Sequence, residues 1–393
     1  MDGTALVVDA IRTPVCRGRP DGALQGVHPV DLLAGVLESL VTRLGVDPGE
    51  VDDVVAGCGI PAREQAGNIA RHAVLAAGWP ASVPGMTVDR KCGSAQQALH
   101  LAAQAVASGA QDVVVACGVE MMGTVPMRAD RQGADAQGPR LRARWPEGLV
   151  HQGISAELIA AKWGLTREDC DHFAARSQQR AAATRAAGLL ERQIVPVATE
   201  RGTVAADEGI REGTTPEGLA RLRPAFLDEA TAARFPEIRW VVTAGSSSQV
   251  SDGAAAALVV SERGARRLGL EPRARVVAGT VVGDDPIMML TGPIPATGKV
   301  LARAGLQLAD LDAIEVNEAF ASVVLAWQAE YGADPELLNA WGGAIAYGHP
   351  VGASGGRLLA TLLDVLDHRD GRYGLVTMCE GGGMANATVL ERL

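Results

Sequence analysis

Continuous apolar runs of strand length alternate along this chain with stretches whose apolar residues recur every three or four positions. Thr4 to Ala10, Val51 to Ala56, Asp112 to Ala116, Ala255 to Ser261, Val276 to Val282, Leu311 to Val316 and Leu375 to Cys379 are of the first kind. A run that is apolar at nearly every position predicts a strand covered on both faces. Asp31 to Leu44, closed by Gly45, reads as an amphipathic helix, and Ala95, Ala98, Leu99, Ala102, Ala105 and Val106 mark another. Strand alternating with helix predicts an α/β protein with a parallel-type sheet and helices on both faces.

The pattern breaks between about Val119 and Gln249. Arg, Gly, Asp and Pro crowd Arg128 to Gly148, and Arg201 to Phe226 is again polar, with helical stretches at Ser155 to Trp163 and Arg167 to Gly188 between them. Long loops in a compact protein usually hold ligands, so this segment reads as an inserted loop domain on the rim of the sheet. An internal repeat frames it: Gly352-Ala353-Ser354-Gly355 opens a helix leading to Leu375 to Cys379, much as Cys92-Gly93-Ser94-Ala95 opens one leading to Val113 to Cys117. The expected division is one core half from 1–118 with 250–262, an insertion over 119–249, and a second core half over 272–393.

Composition narrows the setting. A chain of 393 residues that is 47% hydrophobic and 21% charged can bury a large core, and a net charge of -10 argues against sequence-independent binding to nucleic acid or an anionic membrane. Met1 to Thr4 lack the basic and apolar regions of a signal peptide, and no apolar run reaches the roughly 20 residues that span a bilayer. A cytoplasmic protein is expected. The six cysteines (16, 58, 92, 117, 170, 379) show no Cys-x-x-Cys spacing, so neither a zinc site nor a disulfide framework is expected.

Chemistry collects where strands give way to loops or helices. Cys92 lies between the extended run Gly85 to Val88 and a helix, where free backbone N–H groups and the helix dipole favour a thiolate and can lower its pKa. Asn317-Glu318-Ala319-Phe320, His349 in Gly348-His349-Pro350, and Cys379 before Glu380 and three glycines occupy comparable junctions. In a parallel sheet such junctions share one edge and can converge. Two thiols and an imidazole form a coherent set for acyl transfer, with Cys92 attacking a carbonyl, His349 taking its proton, and Cys379 acting as acid and base toward the second reactant. Backbone N–H groups at Cys92 and in the Gly381-Gly382-Gly383 turn are candidates for an oxyanion site. Taken singly, each feature also has a structural reading: Cys92 as a small packed hydrophobe, Gly-His-Pro as a turn, Cys379 as a buried strand end.

Together these stretches resemble the thiolase family, the acyl-CoA C-acyltransferases. The match runs from Ala10-Ile11-Arg12-Thr13-Pro14 through Thr243-Ala244-Gly245 and Asp252-Gly253-Ala254-Ala255 to Cys379-Glu380-Gly381-Gly382-Gly383. The resemblance implies a thiolase-like fold, two similar βαβαβ-type halves stacked as a layered α/β/α/β/α core. It implies Cys92 as acylated nucleophile, His349 as its base and Cys379 as the acid/base thiol. Two oxyanion sites are implied, one from the N–H groups of Cys92 and Gly381, the other from His349 and a water held by Asn317. In the insertion, Arg223 would meet the adenine nucleotide of CoA, while His151, Ala244, Ser248, Ala319 and Phe320 would line the pantetheine channel. Departures from the family pattern fall at Ala95, Gln152, Ser246, Ala340 and Trp341.

The implied activity is CoA-dependent thiolysis of a 3-ketoacyl-CoA to acetyl-CoA and a shortened acyl-CoA, in fatty acid or steroid β-oxidation, or the reverse Claisen condensation. Gln152 to Glu157 and Val27-His28-Pro29 look closer to degradative members. The alternatives are a biosynthetic acetoacetyl-CoA-forming acetyltransferase and, in another class, a non-catalytic acyl-CoA-binding scaffold. Coenzyme A and acyl-CoA enter as substrates, with no tightly bound cofactor and no metal; a homodimer or homotetramer is expected.

Overall fold

The computed structural model describes residues 3–393; Met1 and Asp2, with the reading placed on them, lie outside it. Nine strands follow one another in a single hydrogen-bonded path, but the path is two sheets joined at a corner. Leu6–Arg12, Ser251–Val260, Val113–Met121, Asp53–Gly57 and Met86–Val88 form the first; Ala313–Val316, Tyr373–Glu380, Met384–Arg392 and Ala274–Gly283 form the second. Among the described residues they meet along one short seam, at Leu6↔Arg275 and Val7↔Ala274 and through Val276 N donating to Ala5 O at 2.9 Å.

Five layers result, and the side chains of single strands show why. Along Val113–Met121, Val113, Val115, Cys117 and Val119 pack outward with the helices Pro29–Leu44 and Ile69–Ala76, whereas Val114 and Ala116 face inward. Ser251–Val260 alternates the same way, with Leu258 and Val260 outward and Ala257 and Val259 inward. The inward residues meet the helices Ser94–Ala107 and Ser354–Arg369, which are shared with the second sheet through Val376, Met378 and Leu390. The far face of that sheet is covered by Pro293–Ala304 and Ala321–Tyr331. This is a layered α/β/α/β/α core, and a run without polar interruptions is what burial on both faces requires. The two repeat helices are its central layer.

The sheets are mixed rather than parallel. Asp53–Gly57 pairs in parallel with Met86–Val88 and with Val113–Met121, as does Ala313–Val316 with Tyr373–Glu380. Ser251–Val260, Ala274–Gly283 and Met384–Arg392 enter antiparallel. The last of these follows Tyr373–Glu380 through a three-glycine turn, and a connection that short can form only a hairpin. Gly382 and Gly383 have φ of 93° and 77°, which side-chain-bearing residues rarely adopt.

Within the insertion, the helices Gln152–Trp163 and Arg167–Ala186 pack on the outer helices of the second half. A buried ion pair fastens the segment to the first strand: the Arg12 guanidinium donates to both Asp207 oxygens, at 2.6 and 2.9 Å, and to Gln193 at 2.7 Å. Among the described residues no helix is long and apolar enough to cross a membrane.

Candidate active site

Cys92 ends a tight turn that launches the helix Ser94–Ala107. Lys91 is left-handed at φ 48°, a strained conformation for a residue with a Cβ, and the Ser94 hydroxyl ties the turn together by donating to Lys91 O at 2.6 Å and accepting from Arg90 N at 2.9 Å. The thiol is half-buried at the floor of a cavity of about 570 Å³. The same cavity is lined by His349, Cys379, Gly381 and Gly382.

Each group is held from behind. His349 precedes the helix Ser354–Arg369, and its Nδ1 lies 2.6 Å from the Ser354 hydroxyl, whose own proton goes to Pro350 O at 2.9 Å. Ser354 therefore accepts from Nδ1–H, which leaves the Nε2 lone pair free. Nε2 is buried without a protein partner. Burial, reinforced by the Arg357 guanidinium, lowers the His349 pKa to about 3, so the resting ring is neutral. Cys379 lies one residue before the end of its strand, fully buried; burial and the neighbouring Cys92 sulfur push its pKa up.

The Cys92 thiol departs from the sequence expectation. Burial and the Glu380 carboxylate raise its pKa to about 12, although the N–H groups of Gly381 and Cys92 reach the sulfur and pull the other way. Placement before a helix does not outweigh desolvation, to which Glu380 adds when ionised. The resting pair is thus neutral thiol and neutral imidazole, and a thiolate arises by proton transfer during attack.

Asn317, whose N–H donates to Thr377 O on the strand that carries Cys379, is fully buried and does not line the cavity, and neither its Oδ1 nor its Nδ2 has a protein partner. Such atoms at a site of this kind are what a bound water satisfies. Its loop is clamped through Glu318, which accepts from Ser177 Oγ, Asn339 Nδ2 and Ile345 N at 2.6, 3.0 and 3.1 Å.

Of the residues expected along the channel, His151, Ser248, Ala319 and Phe320 line the cavity. An aromatic wall runs through them, with ring centroids 5.5 Å apart for His151 and Phe226 and 5.9 Å for Phe226 and Phe320. Arg223 and Ala244 are exposed and outside the lining, though each stands within three or four residues of it and the bridge Pro224↔Thr243 joins their segments. Among the five departures, only Gln152 lines the cavity. Ala95 and Ser246 are buried in local packing, Ala340 is half-buried against the inner core, and Trp341 accepts the Tyr347 hydroxyl through its carbonyl.

Another part of the lining was not read from sequence. Ile60, Met122, Met127 and Val351 supply apolar surface, and Arg128 and Arg131 add positive charge. Glu120 fixes this wall by accepting from Gly59 N and Gly352 N at 2.8 and 2.9 Å. The polar texture of 128–148 was the available signal, but it marks a loop without saying which side chains turn inward. Among the described residues no cluster of three or more His, Cys, Asp or Glu could hold a metal ion.

Two family descriptions match the chain end to end: the thiolase N-terminal domain over residues 5–263 and the thiolase C-terminal domain over 270–392. The chain is 47% identical over 397 residues to the steroid 3-ketoacyl-CoA thiolase FadA6 of Mycobacterium tuberculosis, spanning 99% of this chain and 94% of that protein. It is 44% identical to the 3-ketoacyl-CoA thiolase of Cronobacter sakazakii and 45% to that of Erwinia tasmaniensis, each over 99% of both chains.

Proposed function

Because this chain belongs to the thiolase family, we propose that it is an acyl-CoA C-acyltransferase working degradatively in the cytoplasm, cleaving 3-ketoacyl-CoA with CoA to acetyl-CoA and a shortened acyl-CoA. The observation that carries the site assignment is the opening of both thiols, His349 and Gly381 onto one cavity.

We assign the roles on the chemistry that each group can supply at this cavity. Cys92 passes its proton to His349 Nε2 as the sulfur lone pair attacks the 3-keto carbon, and the N–H groups of Cys92 and Gly381 stabilise the oxyanion. Collapse breaks the bond between C2 and C3, leaving an acyl group on Cys92 and the enolate of acetyl-CoA. His349 and a water on Asn317 hold the enolate oxygen while Cys379 protonates its carbon. The Cys379 thiolate then deprotonates CoA–SH, whose sulfur takes the acyl group, and the departing Cys92 sulfur recovers the proton from His349. No step needs a metal or a further cofactor.

The cavity's apolar wall of Ile60, Met122, Met127 and Val351 favours an acyl group larger than acetyl, and the name of the Mycobacterium tuberculosis relative includes ring-bearing substrates in the range to be tried. Arg128 and Arg131 at the cavity and Arg223 on the neighbouring loop supply positive charge for the phosphates of CoA on a protein of net charge -10. A panel of 3-ketoacyl-CoAs from four carbons to steroid size, followed by loss of magnesium-enolate absorbance, should show CoA-dependent cleavage with the larger members preferred. Absence of cleavage across the panel would refute the activity; preference for the four-carbon member would favour the biosynthetic reading.

We also infer a dimer or tetramer. Among the described residues the edge strand Met86–Val88 pairs only with Asp53–Gly57, and an open strand edge is ordinarily paired or covered. Light scattering should give at least twice the 40.7 kDa chain mass; a monomer at micromolar concentration would count against assembly.

A further inference from the structure

Glu380 follows Cys379 and closes its strand, yet none of the steps above uses it. Its side chain is wholly buried, and both carboxyl oxygens lack a hydrogen-bond partner. It turns under the Cys92 loop: a Cβ added at Gly93 would overlap Glu380 Oε1, so the glycine after the nucleophile is what makes room for this carboxyl. Asn386, on the paired strand Met384–Arg392, closes the niche; its Nδ2 donates to Gly93 O at 3.0 Å and its Oδ1 is unpartnered. Arg90 borders it with a buried, unpartnered Nε. A buried carboxyl with no donor is expensive as an anion, and the most favourable state is the neutral acid.

We propose, resting on the acyl-transfer reading above, that Glu380 is a positioning residue that sets how much negative charge the two-thiol centre can hold: as the neutral acid it permits Cys92 to ionise, and as a carboxylate it keeps Cys92 protonated. The catalytic cycle requires one thiolate at a time, first on Cys92 and then on Cys379. A fixed carboxylate beneath Gly93 would make a second negative charge in a desolvated space.

The charged and titratable groups around Glu380 are consistent with this. Cys92 and Cys379 face it; Arg90 favours its anion and Asp89 opposes it, burial dominates, and its pKa is raised to about 8. Lys91 lies against Gly381, and Glu120 acts on Cys92 more weakly than Glu380 does. Asn386, Gln96 and Gln97 contribute no charge. Below about pH 8 Glu380 is neutral and does not oppose the thiolate; above it the carboxylate raises the thiol further.

Alkylation of the full-length protein by iodoacetamide, with Cys92 followed by peptide mass, tests this without requiring turnover. In the wild type the rate should climb with pH, climb less steeply over about one unit above pH 8 as Glu380 ionises, and then resume its rise on a lower line. Glu380→Gln should remove the break and react on the order of tenfold faster at about pH 9.5, the change in thiolate fraction for one pKa unit. Superimposable profiles would overturn the proposal. So would a wild-type profile with no break, an arm that stands even if the variant does not fold. If the break is present but no 3-ketoacyl-CoA is cleaved, the acyl-transfer reading fails and the charge coupling survives.

Discussion

Cys92→Ser is expected to leave a folded protein that takes up no acyl group and turns over on the order of 10⁴- to 10⁶-fold more slowly, the scale of losing a covalent nucleophile. Thiol and hydroxyl are close in size, and the turn is held by Ser94, Lys91 and Arg90 rather than by the Cys92 side chain. The loss is therefore chemical. A serine hydroxyl is far harder to deprotonate than a thiol, and His349, held below its ordinary basicity by burial, cannot make up the difference. Intact-protein mass after incubation with a 3-ketoacyl-CoA checks this directly; an adduct of acyl mass on the variant would remove Cys92 from its role.

Cys379→Ala separates two readings of a neighbouring thiol pair. If Cys379 is the acid and base of the second half-reaction, the variant should still acylate Cys92, because that step uses only Cys92, His349 and the backbone N–H groups. Steady-state turnover should then fall on the order of 10²- to 10⁴-fold, as for a lost general acid/base group. The acyl-enzyme should outlive that of the wild type, since nothing remains to deprotonate CoA. A redox pair would behave in the opposite way, with turnover intact under reducing conditions and Cys92 protected from oxidant. Acyl-enzyme lifetime and turnover in reductant distinguish them, and rapid release with near-normal turnover would exclude the acid/base role.

Much of the site was legible because its residues sit at element boundaries. Cys92 before an apolar helix, Asn317 after a buried strand and Cys379 before three glycines are each marked by a change of period or by glycine, and local sequence encodes such changes directly. The helices Ser94–Ala107 and Ser354–Arg369 and the strands leading from them were likewise fixed by pattern, as was the change of texture that begins near Val119. The resemblance of the quoted motifs to one family supplied the layered fold.

Tertiary structure alone decided the rest. Strand direction could not be read from apolar runs, since a strand buried on both faces looks the same whichever way its neighbours run; the sheets are mixed because Ser251–Val260 returns after the insertion and Met384–Arg392 folds back as a hairpin. The last strand itself escaped notice because Asn386, Thr388 and Glu391 interrupt its apolar pattern, and two of these polar residues are buried with partners that lie far away in sequence. The same holds for the thiol. Local position promised a lowered pKa, and burial reversed it, helped by Glu380, which comes from nearly three hundred residues along the chain to turn under Gly93. Sequence specifies which groups are available and where elements begin, because those depend on residues a few positions apart. What each group does depends on desolvation and on charges brought from distant segments, and these exist only once the chain has folded.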